Sequence, residues 1–188
     1  MIRRLDERGS KAGLTINTLK TKVMRSASSS QQPVLLQCVH LEDVNRYVYL
    51  GRLLNMENDT RTEIARRGRA DWAAYNSTKS VLEDTKNLKL RADFLNLTVL
   101  PALCYASETW ALTKIAETQL HSTQISIERR MLGLSLRQQQ ERHLHNSDIR
   151  AMSKVHGTVL RADEVKHRYA GHLMRCRDGR WSSPALRC

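Results

Sequence analysis

Twelve residues near the middle of the chain, Val99–Trp110 (VLPALCYASETW), restrict its fold more than any other stretch. Val99, Leu100, Leu103, Tyr105 and Trp110 crowd together here, in a chain with only 5% aromatic residues and a formal net charge of +12. A buried Trp or Tyr removes roughly 150–250 Å² from water. The stretch is therefore predicted to be the buried spine of a helical domain, and nothing in it is catalytic in type. Pro101 interrupts the apolar run. It lacks a backbone donor and clashes with the carbonyl four residues back, so a kink or a helix restart is predicted at that point. Glu108, the one charge of the run, is expected at the rim or paired with an arginine.

A chain of 188 residues is long enough for one domain with a proper core. One so basic repels itself unless it meets a polyanion, which makes nucleic acid or an anionic membrane surface its natural partner. No apolar run reaches the roughly 18–20 residues that cross a bilayer, so no membrane span is expected, and of the two polyanions nucleic acid, not membrane, is the expected partner. The opening MIRRLDERGSKAG lacks the apolar core of a signal peptide. An intracellular location is expected, nuclear or cytoplasmic. Cys38, Cys104, Cys176 and Cys188 are scattered without a C-x-x-C pair, as free thiols would be.

The hydrophobic pattern predicts a mainly α (α+β) chain whose period changes after Gly51. Before it, a short charged helix is expected to stop at Gly13. Leu14–Ile16, Val23–Met24, Val34–Val39 and Tyr47–Leu50 read as two to four short strands. His40–Arg46 is the expected hairpin connection between the last two, and Ser26–Pro33 a breaker-rich loop. Beyond Gly51, about five helices are expected. The first is capped at Asp59 or Thr60, with Glu63 closing a capping box on Thr60. The others cover about Leu88–Leu112, Ile115–Leu134, a short piece with Ile149 and Met152, and Thr158–Arg175. Ile64, Trp72, Leu95, Leu100, Leu103, Tyr105, Trp110, Leu120, Ile127, Met131 and Tyr169 are the predicted core, and Pro184 onward a frayed tail.

Five blocks stand out: AGLTINTLKTKVMR (Ala12–Arg25), YVYLGRLL (Tyr47–Leu54), VLPALCYASETW, IERRMLGL (Ile127–Leu134) and RYAGHLMRCRDGRW (Arg168–Trp181). In this order they resemble the C-terminal part of the reverse transcriptases of non-long-terminal-repeat retrotransposons, most like the RTE group with its endonuclease and reverse transcriptase. The family pattern GL-x-I-N-x-x-K-T-K closes the palm, Y-L-G follows as the primer grip, and the last three blocks belong to the helical thumb. The resemblance covers nearly the whole chain. Tyr169 stands where the family usually has Trp, and the family pattern usually continues beyond the stretch that ends at Cys188.

The resemblance implies an end of palm over residues 1–55, with a primer-grip-like hairpin, and a helical thumb with a basic C-terminal region over 56–188. It implies Lys20 and Lys22 near the nucleotide phosphates, and Tyr49, Leu50 and Gly51 at the primer end. Arg61, Arg66, Arg67 and Arg69 are expected along the side of the thumb that follows a template-primer duplex. Polymerisation needs carboxylates holding two metal ions, which in this family precede the region matched here. No D-D pair occurs in this chain, and Asp6–Glu7 and Glu42–Asp43 lack the strand-and-turn context. The chain alone is thus expected to be inactive and to bind no cofactor. Mg2+ is implied only for a parent RNA-directed DNA polymerase, and the missing palm and fingers are an implied partner. Two other readings stay open: a free-standing basic helical RNA- or DNA-binding module, and a degenerate structural fragment without activity. His167, His172, Cys176 and Cys188 do not have a zinc-finger spacing, and their histidines are expected to be satisfied or exposed. The three Asn-x-Thr matches at Asn58, Asn76 and Asn96 carry no meaning in an intracellular chain.

Overall fold

The computed structural model describes residues 2–175. The chain divides into two compact units, one ending at Asp59 and one starting at Thr60. Among the described residues the fold is mainly α, as expected, with a few short strands. No helix among them is long and apolar enough to cross a membrane. The expected frayed tail from Pro184 lies outside the described residues.

The first unit opens with α1 (Ile2–Lys11). Gly13 ends it in the left-handed region at φ 73°. The Gly13 amide donates to the Ser10 carbonyl (3.1 Å) and the Leu14 amide to that of Gly9 (2.9 Å). These two bonds satisfy the last free carbonyls of the helix in a Schellman closure. Six short strands follow among the described residues: β1 (Lys22–Val23), β2 (Leu35–Leu36), β3 (Val39–His40), β4 (Glu42–Asp43), β5 (Arg46–Tyr49) and β6 (Arg52–Asn55). They form three separate pairs: β1 parallel to β4, and the hairpins β2–β3 and β5–β6.

Five strands thus precede Gly51, where two to four were expected, and the pairing differs. Val34–Val39 is not one strand. Gln37 and Cys38, at φ 51° and 62°, turn it back on itself. Both central residues of such a turn need positive φ, which Asn-Gly or Asp-Gly normally signals; Gln-Cys gives no such signal. Leu14–Ile16 forms no strand, and the 40–46 connection contains β4. The partner of β5 is the strand just past Gly51. Up to Asp59, only the hydrophobic side chains of Leu36 and Leu41 are buried among the described residues.

In the second unit α2 (Arg61–Asp84) packs on α5 (Lys114–Met131) and on the spine between them in sequence. The capping box at Thr60 does not form. Its hydroxyl donates instead to the Ala111 carbonyl (3.3 Å), and Glu63 is engaged by arginines of its own helix. After α3 (Leu88–Phe94), capped by the Asn87 side chain, the predicted disturbance at Pro101 takes the form of a π turn, Leu95–Val99. The Leu100 amide reaches back five residues to the Leu95 carbonyl, and helix α4 (Leu100–Leu103) restarts with proline in its first turn. There the absent donor costs nothing. A 3-10 turn, Ser107–Thr109, leads to Trp110.

Helix α5 starts at Thr113, whose side chain accepts from the Ala116 amide (3.3 Å). It closes at Gly133 (φ 71°) through bonds from Gly133 to Arg130 and from Leu134 to Arg129. Short helices α6 (Leu136–Glu141) and α7 (Asn146–Ser153) precede α8 (Thr158–Arg175). One core group joins Tyr75, Leu82, Leu95, Val99, Leu100, Ile127, Met131 and Val155; another joins Ile64, Leu103, Trp110, Ala116 and Leu120. Trp72 packs against the first, half-buried.

Two predicted core residues are exposed. Tyr105 is 51% exposed because the helix ends at Leu103 and the helical stripe no longer applies. Tyr169 is 45% exposed in the second half of α8, where no described residue is fully buried. Leu103→Ala is therefore expected to cost about 2–5 kcal/mol in denaturant unfolding, and Tyr169→Ala under about 0.5 kcal/mol. Equal costs would return Tyr169 to the core.

Candidate nucleic-acid interface

In the first unit Tyr49 and Arg52 are paired across the β5–β6 hairpin, leaving Leu50 and Gly51 as a two-residue turn. Their φ values of 47° and 79° define a primed turn whose twist matches the strands. Glycine takes this conformation without penalty, whereas a side-chain-bearing residue in it costs about 1–2 kcal/mol. Leu50 bears that strain and is 78% exposed, beside an exposed Tyr49. The hairpin thus ends in an exposed apolar tip, Leu50, followed by a glycine in the left-handed region.

Lys20 is exposed, its backbone amide bonded to the Asn17 side chain (3.1 Å). Lys22 is tied to Glu42, its strand partner, and Arg25 grips both oxygens of Asp43 (2.6 and 3.1 Å). Asp6 accepts from the Gln37 side-chain amide. Glu42 and Asp43 are adjacent in a strand, so their side chains point to opposite faces, and each is already matched to its own cation. These residues do not fit a two-metal centre.

In the second unit the four arginines of α2 take different roles. At about 100° per residue, Arg66 and Arg69 lie about 60° apart on the outward face, while Arg67 points toward the core. Arg69 and Arg61 are exposed and Arg66 is half-buried. Arg66 holds Glu63 through two nitrogens (2.8 and 2.9 Å), and Arg67 Nε donates to the same carboxylate (2.8 Å). Arg67 is only 8% exposed, with its guanidinium 4.3 Å from the centre of the Tyr105 ring. It braces the start of α2 against the spine. Of the four expected along the duplex, Arg69 is the exposed cation in the helix interior.

Behind this face runs a buried polar seam that sequence reasoning missed. Gln124 on α5 donates to the His156 carbonyl and accepts from the Thr158 amide, both at 2.8 Å. Asn96 accepts from the His156 amide (2.9 Å). Glu128 accepts from the Ser153 hydroxyl (2.9 Å), and Arg150 Nε stands 3.9 Å from its other oxygen, too far for a hydrogen bond. Burial pushes the Glu128 carboxyl up, against the pull of Ser153, Arg150 and Gln124.

Asp71 is 1% exposed and borders a small cavity with Gln124 and Glu128. Its Oδ1 has no hydrogen-bond partner among the described residues. Desolvation pushes its carboxyl up from 3.8 to about 8, so it is largely protonated at neutral pH. The signal was an Asp four residues before Tyr75 and seven after Ile64, in register with the apolar stripe.

Cys104 is buried, its thiol pushed to about 12 by desolvation, and Cys38 is exposed; both are free. His167 bonds the Asp163 carbonyl through Nδ1 (2.8 Å). His172 lies on the same helix, while Cys176 and Cys188 are outside the described residues.

These features define a basic helical unit and a strand-rich unit without a metal centre among the described residues. The chain belongs to a family of transposon-derived proteins. It is 40% identical over 187 residues to an uncharacterized transposon-derived protein of Caenorhabditis elegans, covering 97% of this chain and 67% of that one. No family model matches the chain, and no solved structure matches it significantly.

The carboxyl of Asp71 gives a pH prediction. Its value is raised in the folded state, so stability from this group is lost as pH rises from about 4 through 8, at about 1.4 kcal/mol per unit. Asp71→Asn should flatten the fall in melting temperature over that range and be the more stable form at pH 8. Parallel pH profiles for the two proteins would contradict this assignment.

Proposed function

We propose that the chain is the end of the palm and the thumb of a non-long-terminal-repeat retrotransposon reverse transcriptase, of RTE-like type, and that it binds a template-primer duplex. The observation that carries this reading is the ordered series of five sequence blocks, from Gly13-Leu14 to Arg168–Trp181. The transposon-derived relative supports the origin. The primed turn at Leu50-Gly51 supports a primer-grip role, since a backbone without a Cβ at Gly51 can approach a sugar-phosphate closely. The exposed Arg61 and Arg69 support a phosphate-binding thumb face.

Phosphate contacts position a strand without reading its bases, so binding is insensitive to sequence. An A-form hybrid is recognised by shape and 2′-hydroxyls. Catalysis belongs to the parent enzyme, where the upstream palm and fingers supply the carboxylates and the Mg2+ they hold. Lys20 lies free of carboxylates among the described residues, whereas Lys22 must leave Glu42 to reach a phosphate.

The natural test replaces one outward cation and keeps the fold. Arg66 and Arg67 are unsuitable, because removing them strands the buried Glu63 charge, a loss of about 3–5 kcal/mol. Arg69→Ala leaves that cluster intact. Titrating the full chain with unrelated duplexes at several salt concentrations should give steeply salt-dependent affinity. The variant should weaken all duplexes alike and flatten the log–log slope by about one unit. An unchanged slope, or no duplex binding by the native chain, would mean that this face is only solvated. The chain alone should also incorporate no nucleotides on a primed template; chelator-sensitive incorporation would refute its assignment as a part without the catalytic carboxylates.

A further inference from the structure

Beside α2 runs an open groove of about 610 Å³, bounded on the far side by the end of α5 and the turn into α6. Trp72, Tyr75, Lys79 and Glu83 line it from α2 at spacings of three and four; Arg129 and Arg130 line it from α5. The Trp72 ring stands edge-on to Tyr75, with centroids 5.9 Å apart. The exposed guanidinium of Arg130 lies over the Trp72 face, 5.6 Å from its centre. Tyr75 is buried, so the planar surface offered to solvent is the half-buried Trp72 with its arginine.

The charges in this groove are unbalanced. Lys79 and Glu83 pair with each other at 3.5 Å. Arg129 is held by two neutral acceptors, the Gln139 side-chain oxygen (3.0 Å) and the Ser126 hydroxyl (3.2 Å). Arg130 has its contact with an aromatic ring. Both guanidinium groups are therefore oriented, yet neither is neutralised by a carboxylate among the described residues. Two fixed cations beside a flat aromatic surface match the two halves of one nucleotide: a phosphate and a base with an exposed face.

We infer that this groove binds an unpaired nucleotide of a single-stranded nucleic acid, its base stacked on the Trp72–Arg130 surface and its phosphate on Arg129. A duplex does not fit this role, because its base faces are already covered by their neighbours, whereas unpaired bases stack on aromatic rings and on guanidinium planes. The inference deepens the proposed nucleic-acid function, and rests on it, by giving the thumb a second, single-strand contact that begins one helical turn beyond Arg69.

The test uses the full chain and two labelled probes, an oligothymidylate and a blunt duplex. Trp72→Phe keeps an aromatic filler in the packed position, and Arg130→Gln alters only an exposed side chain. Each should weaken oligothymidylate binding by about tenfold, the scale of one base-stacking contact, and leave duplex affinity unchanged; Arg130→Gln should also leave the melting temperature unchanged. Oligothymidylate should quench tryptophan fluorescence in the native chain and lose most of that effect in Trp72→Phe. Undiminished oligothymidylate affinity in Arg130→Gln, or quenching that persists in Trp72→Phe, overturns the groove assignment. If the native chain binds the duplex and not the oligothymidylate, the groove assignment alone fails. If it binds neither, the duplex reading fails with it.

Discussion

The second unit depends on one buried amide. Gln124 sits on α5, and its side chain behaves as a detached piece of backbone, donating to the His156 carbonyl and accepting from the Thr158 amide. The first group lies in the connection between α7 and α8 and the second at the first residue of α8, whose opening turn would otherwise begin with an unmatched donor. Asn96, from the π turn, satisfies the amide of His156 in the same connection. Three segments far apart in sequence are thus pinned by side-chain amides rather than by apolar packing alone. Buried polar groups of this kind contribute little when satisfied and cost much when left unmatched, which makes the seam specific for one arrangement.

Charge is handled by the same logic at the start of α2. A carboxylate as buried as Glu63 is tolerable only if it is fully paired, and the chain provides Arg66 and Arg67 within one helical turn. Arg67 then carries the cluster onto Tyr105, which stays outside the core as the aromatic face under a guanidinium. Asp71, two turns further on, shows the other solution: with desolvation as the dominant influence on it, the carboxyl keeps its proton. Basic residues in a basic chain therefore divide between those that hold the fold and those that can meet a polyanion, and helical phase separates them.

That division explains what could be read from sequence. The change of period after Gly51, the disturbance at Pro101, the stop at Gly133 and the span of α8 follow from local rules, because proline, glycine and apolar spacing act over one or two turns. Stripe positions such as Ile64, Leu103 and Leu120 were legible for the same reason. The hairpin at Gln37-Cys38 was not, since neither residue advertises a left-handed turn. Tyr105 and Tyr169 were misplaced because a helical stripe says which side chains share a face, not how far the covering partner extends. The role of Arg67 was hidden by the same limit: its partner Glu63 is local, but the ring that receives it lies in another segment. The groove at Trp72 and Arg130 joins residues of two different helices, beyond any periodicity argument.

The strand pairs of the first unit have a consequence for how this region behaves at high concentration. Each sheet contains two strands, so every strand keeps one side of its backbone without a ladder partner within its sheet. Unpaired strand edges are templates for another chain, and an isolated two-stranded pair is at best marginally stable in water. Exposed Leu35, Val39, Tyr47 and Val48 add apolar surface along those edges. Such a region gains by recruiting extended segments from neighbours, and its solubility rests on the charges spaced between them, Arg46 and Arg52 among them. Neutralising those two residues would convert a self-repelling edge into an adhesive one.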